Sequence, residues 1–272
     1  MATGPTEKRT IEADPVTAGW IKPPPEWRFD DLTQTYNFPH DRSDRVSLFC
    51  SFIRNEAERY GEAARGLDIG CGVGIGMRPS ATTSVAKCFG ELWGVEPDAT
   101  IQQAPVFARV QHAVFEQAEL PDNYFNLAYS FMVMEHVADP AGFMSKLFRA
   151  LAPGGTYLFL TVNGIHYFSR IANALRATRV DEAALRMLFG KQNAEAYHYP
   201  TQYRFNRPAQ IDPVCTSLGF EKPEYVYVER SGRIPYMKGP LGPLGDHFER
   251  SRLTNKRPER LLDLFCRVRK PA

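Results

Sequence analysis

The chain has 272 residues, 43% hydrophobic and 12% aromatic, enough to bury a sizeable core as one domain with insertions. Its formal net charge is +2, so no broad basic surface is implied and no nucleic-acid partner is expected. No apolar run reaches membrane-span length, and the N-terminus, with Glu7, Glu12 and Asp14, is too polar for a signal peptide. Five cysteines (Cys50, Cys71, Cys88, Cys215, Cys266) without metal-type spacing predict reduced thiols, no metal and a cytoplasmic setting.

Residues 1–45 form a first segment. It reads as loosely structured to about Ile21, then passes through the stiff Pro23-Pro24-Pro25. Trp27, Phe29, Tyr36 and Phe38 follow closely and predict packing on the core, either as an edge cover or in closing a ligand site. Val46 to Tyr60 is an amphipathic helix, with Val46, Phe49, Cys50, Ile53 and Ala57 at helical spacing. A buried strand then ends in Leu67-Asp68-Ile69 and runs into Gly70-Cys71-Gly72-Val73-Gly74 and a helix. Met77-Arg78-Pro79-Ser80 takes up extra length there, with Pro79 expected to disturb the first helical turns. Glu91 to Pro97 is a short buried strand tipped by Glu96.

Ala128 to Val137 reads as a further strand and its turn. Asp139 and Pro140 supply an N-cap and first residue for the next helix. Leu151 to Thr156 ends that helix and opens a strand over Tyr157–Thr161. The alternation of strand and helix through the core, 46–162, predicts a parallel sheet with helices on both faces and a ligand at the carboxyl ends of its strands. Residues 163–205 exceed the minimal pattern and read as a helical lid insertion, with helices from Tyr167 to Thr178 and from Asp181 to Leu188. The remainder, 206–272, holds a helix from Pro208 to Leu218 stopped by Gly219. Two final strands follow, Tyr225–Glu229 and Leu262–Arg269. The long Gly/Pro-rich loop between them has two readings, a cover over the site or an oligomer contact in a homodimer.

The glycine turn carries the first chemical signal. Its glycines let the backbone bend sharply and approach a ligand. Dinucleotide enzymes use a similar turn, but it must accept a pyrophosphate, and Asp68 at the strand end would oppose one. Gly72 is followed by Gly74 and Gly76 instead of the dinucleotide spacing, which argues against a nicotinamide-dependent oxidoreductase. A ligand with a cationic amino end and a ribose suits Asp68 and Glu96 better.

Asp68-x-Gly70-x-Gly72-x-Gly74 resembles motif I of the class I methyltransferases that depend on S-adenosylmethionine (SAM). Glu91–Pro97 is similar to that family's second-strand signature, and Phe115–Leu127 to its acid-Ala-Glu-x-Leu-Pro run, with Gln117 and Asn126 where the family usually has acids. Ala128–Val137 and Leu151–Gly155 resemble the type 11, small-molecule and lipid branch. So does Thr201-x-Tyr203-Arg204-x-Asn206-x-Pro208. The resemblance implies a Rossmann-like α/β fold with a mostly parallel seven-stranded sheet. It implies SAM as cofactor, with S-adenosylhomocysteine (SAH) as product. Asp68 would hold the amino end, the Gly70, Cys71 and Gly72 backbone the methionine and ribose part, and Glu96 the ribose. Pro97, Gln117 and Ala118 would surround the adenine, and Ser130 and Met132 would complete the cofactor site.

A methyltransferase places a nucleophile in line with the methyl group and excludes water. A hydroxyl acceptor is helped by a base, and histidine suits neutral pH. His136, after the fourth strand, is the first candidate, His166 the second and His198 a third. The alternative is that all three bind or pack and the acceptor needs no base. Tyr167, His198, Tyr199 and Tyr203 are the expected substrate contacts, beside aromatic and apolar neighbours such as Phe131 and Phe168. The expected partner is a small molecule, an aromatic, carboxylic or lipid-like metabolite methylated on oxygen. Methylation on nitrogen or carbon, and a non-catalytic SAM-binding protein, stay open.

Overall fold

The computed structural model describes residues 28–30, 45–166, 169–170, 201–228, 243, 247 and 258–272. Among these, helix α1 (Arg45–Ala57) buries Val46, Phe49, Cys50, Ile53 and Ala57, the positions its periodicity marks. Strand β1 (Arg65–Ile69) leads into the glycine turn, and α2 (Pro79–Ala86), β2 (Glu91–Val95) and β3 (Arg109–Gln111) follow. Next come β4 (Phe125–Phe131), α3 (Pro140–Ala150) and β5 (Leu151–Val162). Helix α4 (Pro208–Ser217), β6 (Glu224–Val228) and β7 (Asp263–Arg269) complete the set.

The seven strands form one sheet in the order β3-β2-β1-β4-β5-β7-β6. β1 to β5 pair in parallel, while β7 runs antiparallel to both β5 and β6. The strand order reverses at β1 and β4. Their carboxyl ends therefore open a crevice where the chain leaves in opposite directions, the place where such sheets bind ligands.

Helices cover both faces. Phe49 and Phe52 of α1 pack with Leu127, Tyr129 and Phe265 on one face. Phe143 and Leu147 of α3 and Ile211 and Cys215 of α4 pack with Leu67, Ile69 and Phe159 on the other. Each such fully buried side chain contributes roughly 1.5–3 kcal/mol through apolar burial. Edge-to-face contacts, such as Phe52 on Phe265 with ring centroids 5.4 Å apart, add shape specificity.

An ion network around buried Arg267 and Glu56 ties the described N-terminal residues to the sheet. Arg267 of β7 donates to Glu224 Oε2 at 2.8 Å, to Glu56 of α1 at 3.4 Å and to Asp30. Phe29 lies under the Arg267 guanidinium, 4.6 Å from ring centroid to Cζ, and packs on Phe52. Trp27, Tyr36 and Phe38 lie outside the described residues, as do most of the 163–205 insertion and of the Gly/Pro-rich loop.

Two elements differ from the sequence expectation, the helix start at Pro79 and the start of β5. Pro79 does not disturb a helix already under way; it is the first residue of α2, where its missing N–H costs nothing. A 3₁₀ turn at Ile75–Met77 stands between it and the glycines. β5 begins at Leu151, not Tyr157: Phe125 pairs with Leu151 and Leu127 with Thr156, so Pro153-Gly154-Gly155 lies in a bulge of a continuous strand. β3 has only three residues and carries no alternating pattern to read.

Candidate active site

The site grows from the ends of β1, β2 and β4. In register, Asp68 of β1 sits between Gly94 of β2 and Tyr129 of β4. Past β1 the chain turns back on β2: the N–H groups of Gly70 and Cys71 both donate to the Val95 carbonyl, at 2.8 and 3.2 Å. Gly70 has φ +73°, and a Cβ there would stand 2.5 Å from Val133 Cγ2 in the loop after β4. Glycine is therefore needed for both the left-handed backbone and the close approach. At Gly72 (φ +46°) an added Cβ would meet, among the described residues, nothing nearer than Glu96 Oε2 at 3.9 Å, so they leave this side of the turn open.

Glu96 closes the turn from the β2 side. Its Oε2 accepts the Gly72 N–H at 2.9 Å and its Oε1 the Asp98 N–H at 3.1 Å. Each carboxylate oxygen has further lone-pair capacity, so the acid can take two more donors while holding the turn. Pro97 beside it is half-buried.

Asp68 is buried, and its Oδ2 makes no hydrogen bond of good geometry among the described residues. The Tyr129 hydroxyl is likewise buried without a hydrogen bond of good geometry, although it favours the Asp68 charge. Burial pushes the Asp68 carboxyl up to about 8; Tyr129 opposes the rise and the Glu96 charge adds to it. A buried carboxylate oxygen without a donor is costly, and a cationic group offered from the open turn would relieve that cost.

The third wall is the segment after β3. Glu96 N–H donates to the Gln111 carbonyl at 3.0 Å. The Gln111 amide in turn holds both the N–H of Glu119, at 2.7 Å, and its carbonyl. This places the 3₁₀ turn Phe115–Gln117 and buried Ala118 beside the end of β2, with Gln117 exposed. Gln111 is absent from the sequence reading because only the fold shows what it joins.

The remaining expected residues fall into three groups. Cys71 is buried, and burial holds its thiol well above the ordinary range, so only its backbone faces the turn. Ser130 is fully buried with its hydroxyl on Tyr157 at 2.7 Å, which leaves its side chain no part at the surface of the site. Met132, in the left-handed region (φ +58°), and half-buried His136 follow at the end of β4. His166, four residues past the end of β5, is 0% exposed. Tyr203 is half-buried and its N–H donates to the Glu135 carbonyl, so it stands near His136. Tyr167, His198 and Tyr199 lie outside the described residues.

Buried Glu135 is a further residue that sequence reasoning passed over. Its only sequence signal was the acid next to His136. The described residues contain no group of three or more His, Cys, Asp or Glu arranged to hold a metal, and no helix long and apolar enough to cross a membrane.

The doubly wound sheet thus carries one acid under a glycine turn and a second at the tip of β2. Residues 39–207 match the family model described as a methyltransferase domain, and the chain belongs to that family. Its seven-stranded sheet, antiparallel only at β7, is the class I form of that family. The chain is 34% identical over 123 residues to a ubiquinone biosynthesis O-methyltransferase of Maricaulis maris, a match covering 42% of this chain and 46% of that one. It is 32% identical over 101 residues to the chloroplastic tocopherol O-methyltransferase of Arabidopsis thaliana, covering 35% of this chain and 29% of that one. The chain thus matches less than half the length of these relatives. A solved structure of phosphoethanolamine N-methyltransferase 2 from Haemonchus contortus, in complex with SAM, overlays with a TM-score of 0.49 at 18% identity, covering 81% of this chain and 52% of that one.

Proposed function

We propose that this protein transfers the methyl group of SAM to an oxygen atom of a small acceptor with an aromatic or lipid-like body. The observation that carries the reading is the buried Asp68 Oδ2, without a well-formed hydrogen bond among the described residues, beneath a glycine turn that Glu96 holds from the other side. When bound, SAM supplies a methyl group on a positively charged sulfur, already activated toward a nucleophile.

In this reading Asp68 takes the ammonium, and Gly70, Cys71 and Gly72 line the methionine and ribose part with backbone alone. Glu96 accepts the ribose hydroxyls on its remaining lone pairs. Pro97, Gln117 and Ala118 flank the adenine, and Met132 with the backbone of Ser130 closes the cofactor side at the end of β4. His136 is the base for the acceptor hydroxyl, since it is half-exposed where His166 is sealed. Tyr203 contacts the acceptor; Tyr167, His198 and Tyr199, expected to do the same, lie outside the described residues. The O-methyltransferase names of the two relatives support oxygen as the acceptor atom.

The test is incubation with methyl-labelled SAM and a panel of phenols, carboxylic acids and amines. Label in a phenol or acid product supports the proposal. Label only in amines moves the acceptor atom to nitrogen, and label in no product removes the substrate assignment.

A further inference from the structure

The loop after β4 holds a fully buried polar cluster that the cofactor reading does not use. Glu135 is 1% exposed, and its Oε2 accepts the Thr161 hydroxyl of β5 at 2.8 Å. Thr161 Oγ1 accepts in turn from the Asn206 amide at 2.6 Å, and the same amide donates to the Val162 carbonyl at 2.9 Å. The Asn206 carbonyl takes the Gly164 N–H at 2.7 Å. Thr161 and Asn206 are both 0% exposed. On the main chain, the Glu135 carbonyl accepts two N–H groups, from Gln202 at 2.5 Å and Tyr203 at 3.1 Å.

These bonds join three separate stretches. Residues 161–164 are where the chain leaves β5 for the insertion, and 202–206 are where it returns. Glu135 sits between them, adjacent in sequence to His136. A carboxylate at this depth is costly and is kept only where its bonds return that cost. The charges facing it are Arg45 of α1 and Asp263 of β7, themselves 3.3 Å apart. Burial pushes the Glu135 carboxyl up to about 7, with its own backbone N–H, Thr161 and Arg45 opposing the rise and Asp263 adding to it.

We propose that Glu135 is a positioning residue for methyl transfer. Its side chain, through Thr161 and Asn206, and its carbonyl, through Gln202 and Tyr203, lock both ends of the insertion onto the end of β4 and so fix Tyr203 relative to His136. The role in transfer rests on the methyltransferase reading above; the lock itself does not.

The test compares Glu135→Ala, Glu135→Gln and Thr161→Val by peptide-resolved hydrogen–deuterium exchange, SAH calorimetry and turnover of a phenol acceptor from the panel. Glu135→Ala and Thr161→Val are expected to raise exchange in peptides covering 162–166 and 201–206 by about tenfold or more, with peptides from β1 unchanged. SAH affinity stays within about twofold, while turnover falls about tenfold or more at unchanged SAM KM. Glu135→Gln restores protection, because its side-chain oxygen still accepts the Thr161 hydroxyl. Thr161→Val keeps side-chain volume and decides the matter if Glu135→Ala does not fold.

Exchange that is unchanged at these peptides, or that rises equally in β1, overturns the proposal. If the wild-type protein binds no SAH, the methyltransferase reading falls while the exchange pattern still decides the lock.

Discussion

Gly72 donates its backbone N–H to Glu96 Oε2 at 2.9 Å, so the glycine turn after β1 and the acid after β2 form one unit. The acid that would bind the ribose is also the acid that shapes the turn. Glu96→Ala is therefore expected to weaken SAH binding by about 100-fold, roughly 3 kcal/mol, through lost ligand bonds and a loosened turn together. Glu96→Gln, which keeps an acceptor for the Gly72 N–H, is expected to lose only about tenfold. Calorimetric titration of both variants checks the order.

Asp68 makes opposite predictions for stability and for binding. Its carboxyl is raised to about 8 from 3.8, so the folded protein binds its proton more tightly than the unfolded chain does. The ionised form thus costs stability, and that cost grows as pH rises from about 4 to about 8. Thermal melts of the ligand-free protein are expected to show a falling Tm over this window, and Asp68→Asn to flatten the fall. The same variant is expected to lose about tenfold or more in SAH affinity, because a neutral amide no longer attracts an ammonium. A variant that neither flattens the profile nor weakens binding contradicts the role given to Asp68.

At Gly70 the prediction separates two causes of strain. Gly70→Ala meets Val133 Cγ2 at 2.5 Å and holds an L-residue at φ +73°. A loss of about 2–4 kcal/mol is expected from clash and conformation combined. Adding Val133→Ala removes the clash, so the double variant is expected to recover all but the roughly 1–2 kcal/mol conformational part. Chemical denaturation of the single and double variants measures both terms.

The two histidines at the strand ends are expected to fail differently. His136→Gln should lower turnover of a phenol acceptor by about 100-fold or more, with SAH affinity and Tm nearly unchanged. His166→Gln acts on a fully buried residue and should lower Tm first. Steady-state kinetics with parallel melts distinguish the two.

Arg267 tests how the described N-terminal residues are held. The guanidinium is 3% exposed and bonds Glu56, Glu224 and Asp30. Arg267→Ala is expected to cost about 1–3 kcal/mol through lost packing on Phe29 and lost ion pairs, since buried Glu56 keeps Thr156, Arg59 and Arg269. Asp30 is far more exposed, and Arg267 holds its carboxyl below the ordinary carboxylate range. Asp30→Asn is therefore expected to cost only about 0–1 kcal/mol. Urea unfolding of the two variants measures the contrast.

Legibility followed the range of the interactions. Asp139 and Pro140 were readable because a cap is local chemistry, and the Asp139 side chain does accept the Gly142 N–H at 3.1 Å. Gly219 was readable for the same reason, with φ +85° just past the end of α4. Glu96 was readable because a strand tipped by an acid has a period and a position.

Gln111, Tyr129 and Glu135 were not readable. Each matters through partners on another strand or loop, and nothing in its own neighbourhood announces them. Pro153-Gly154-Gly155 misled in the other direction, because its turn chemistry is real but is absorbed as a bulge within β5. Ser130 near the end of β4 and His166 just past β5 stand where a site was expected, and both side chains are buried. Period and position alone do not separate the last core residue of a strand from the first residue of a site.

Calorimetric titration of the purified protein with SAM and SAH, with NADH as the control, tests the central claim most directly. The account predicts micromolar binding of both adenosyl ligands and none of NADH. Binding of NADH, or of no ligand, would contradict the assignment of Asp68 and Glu96 as the two ends of the cofactor site.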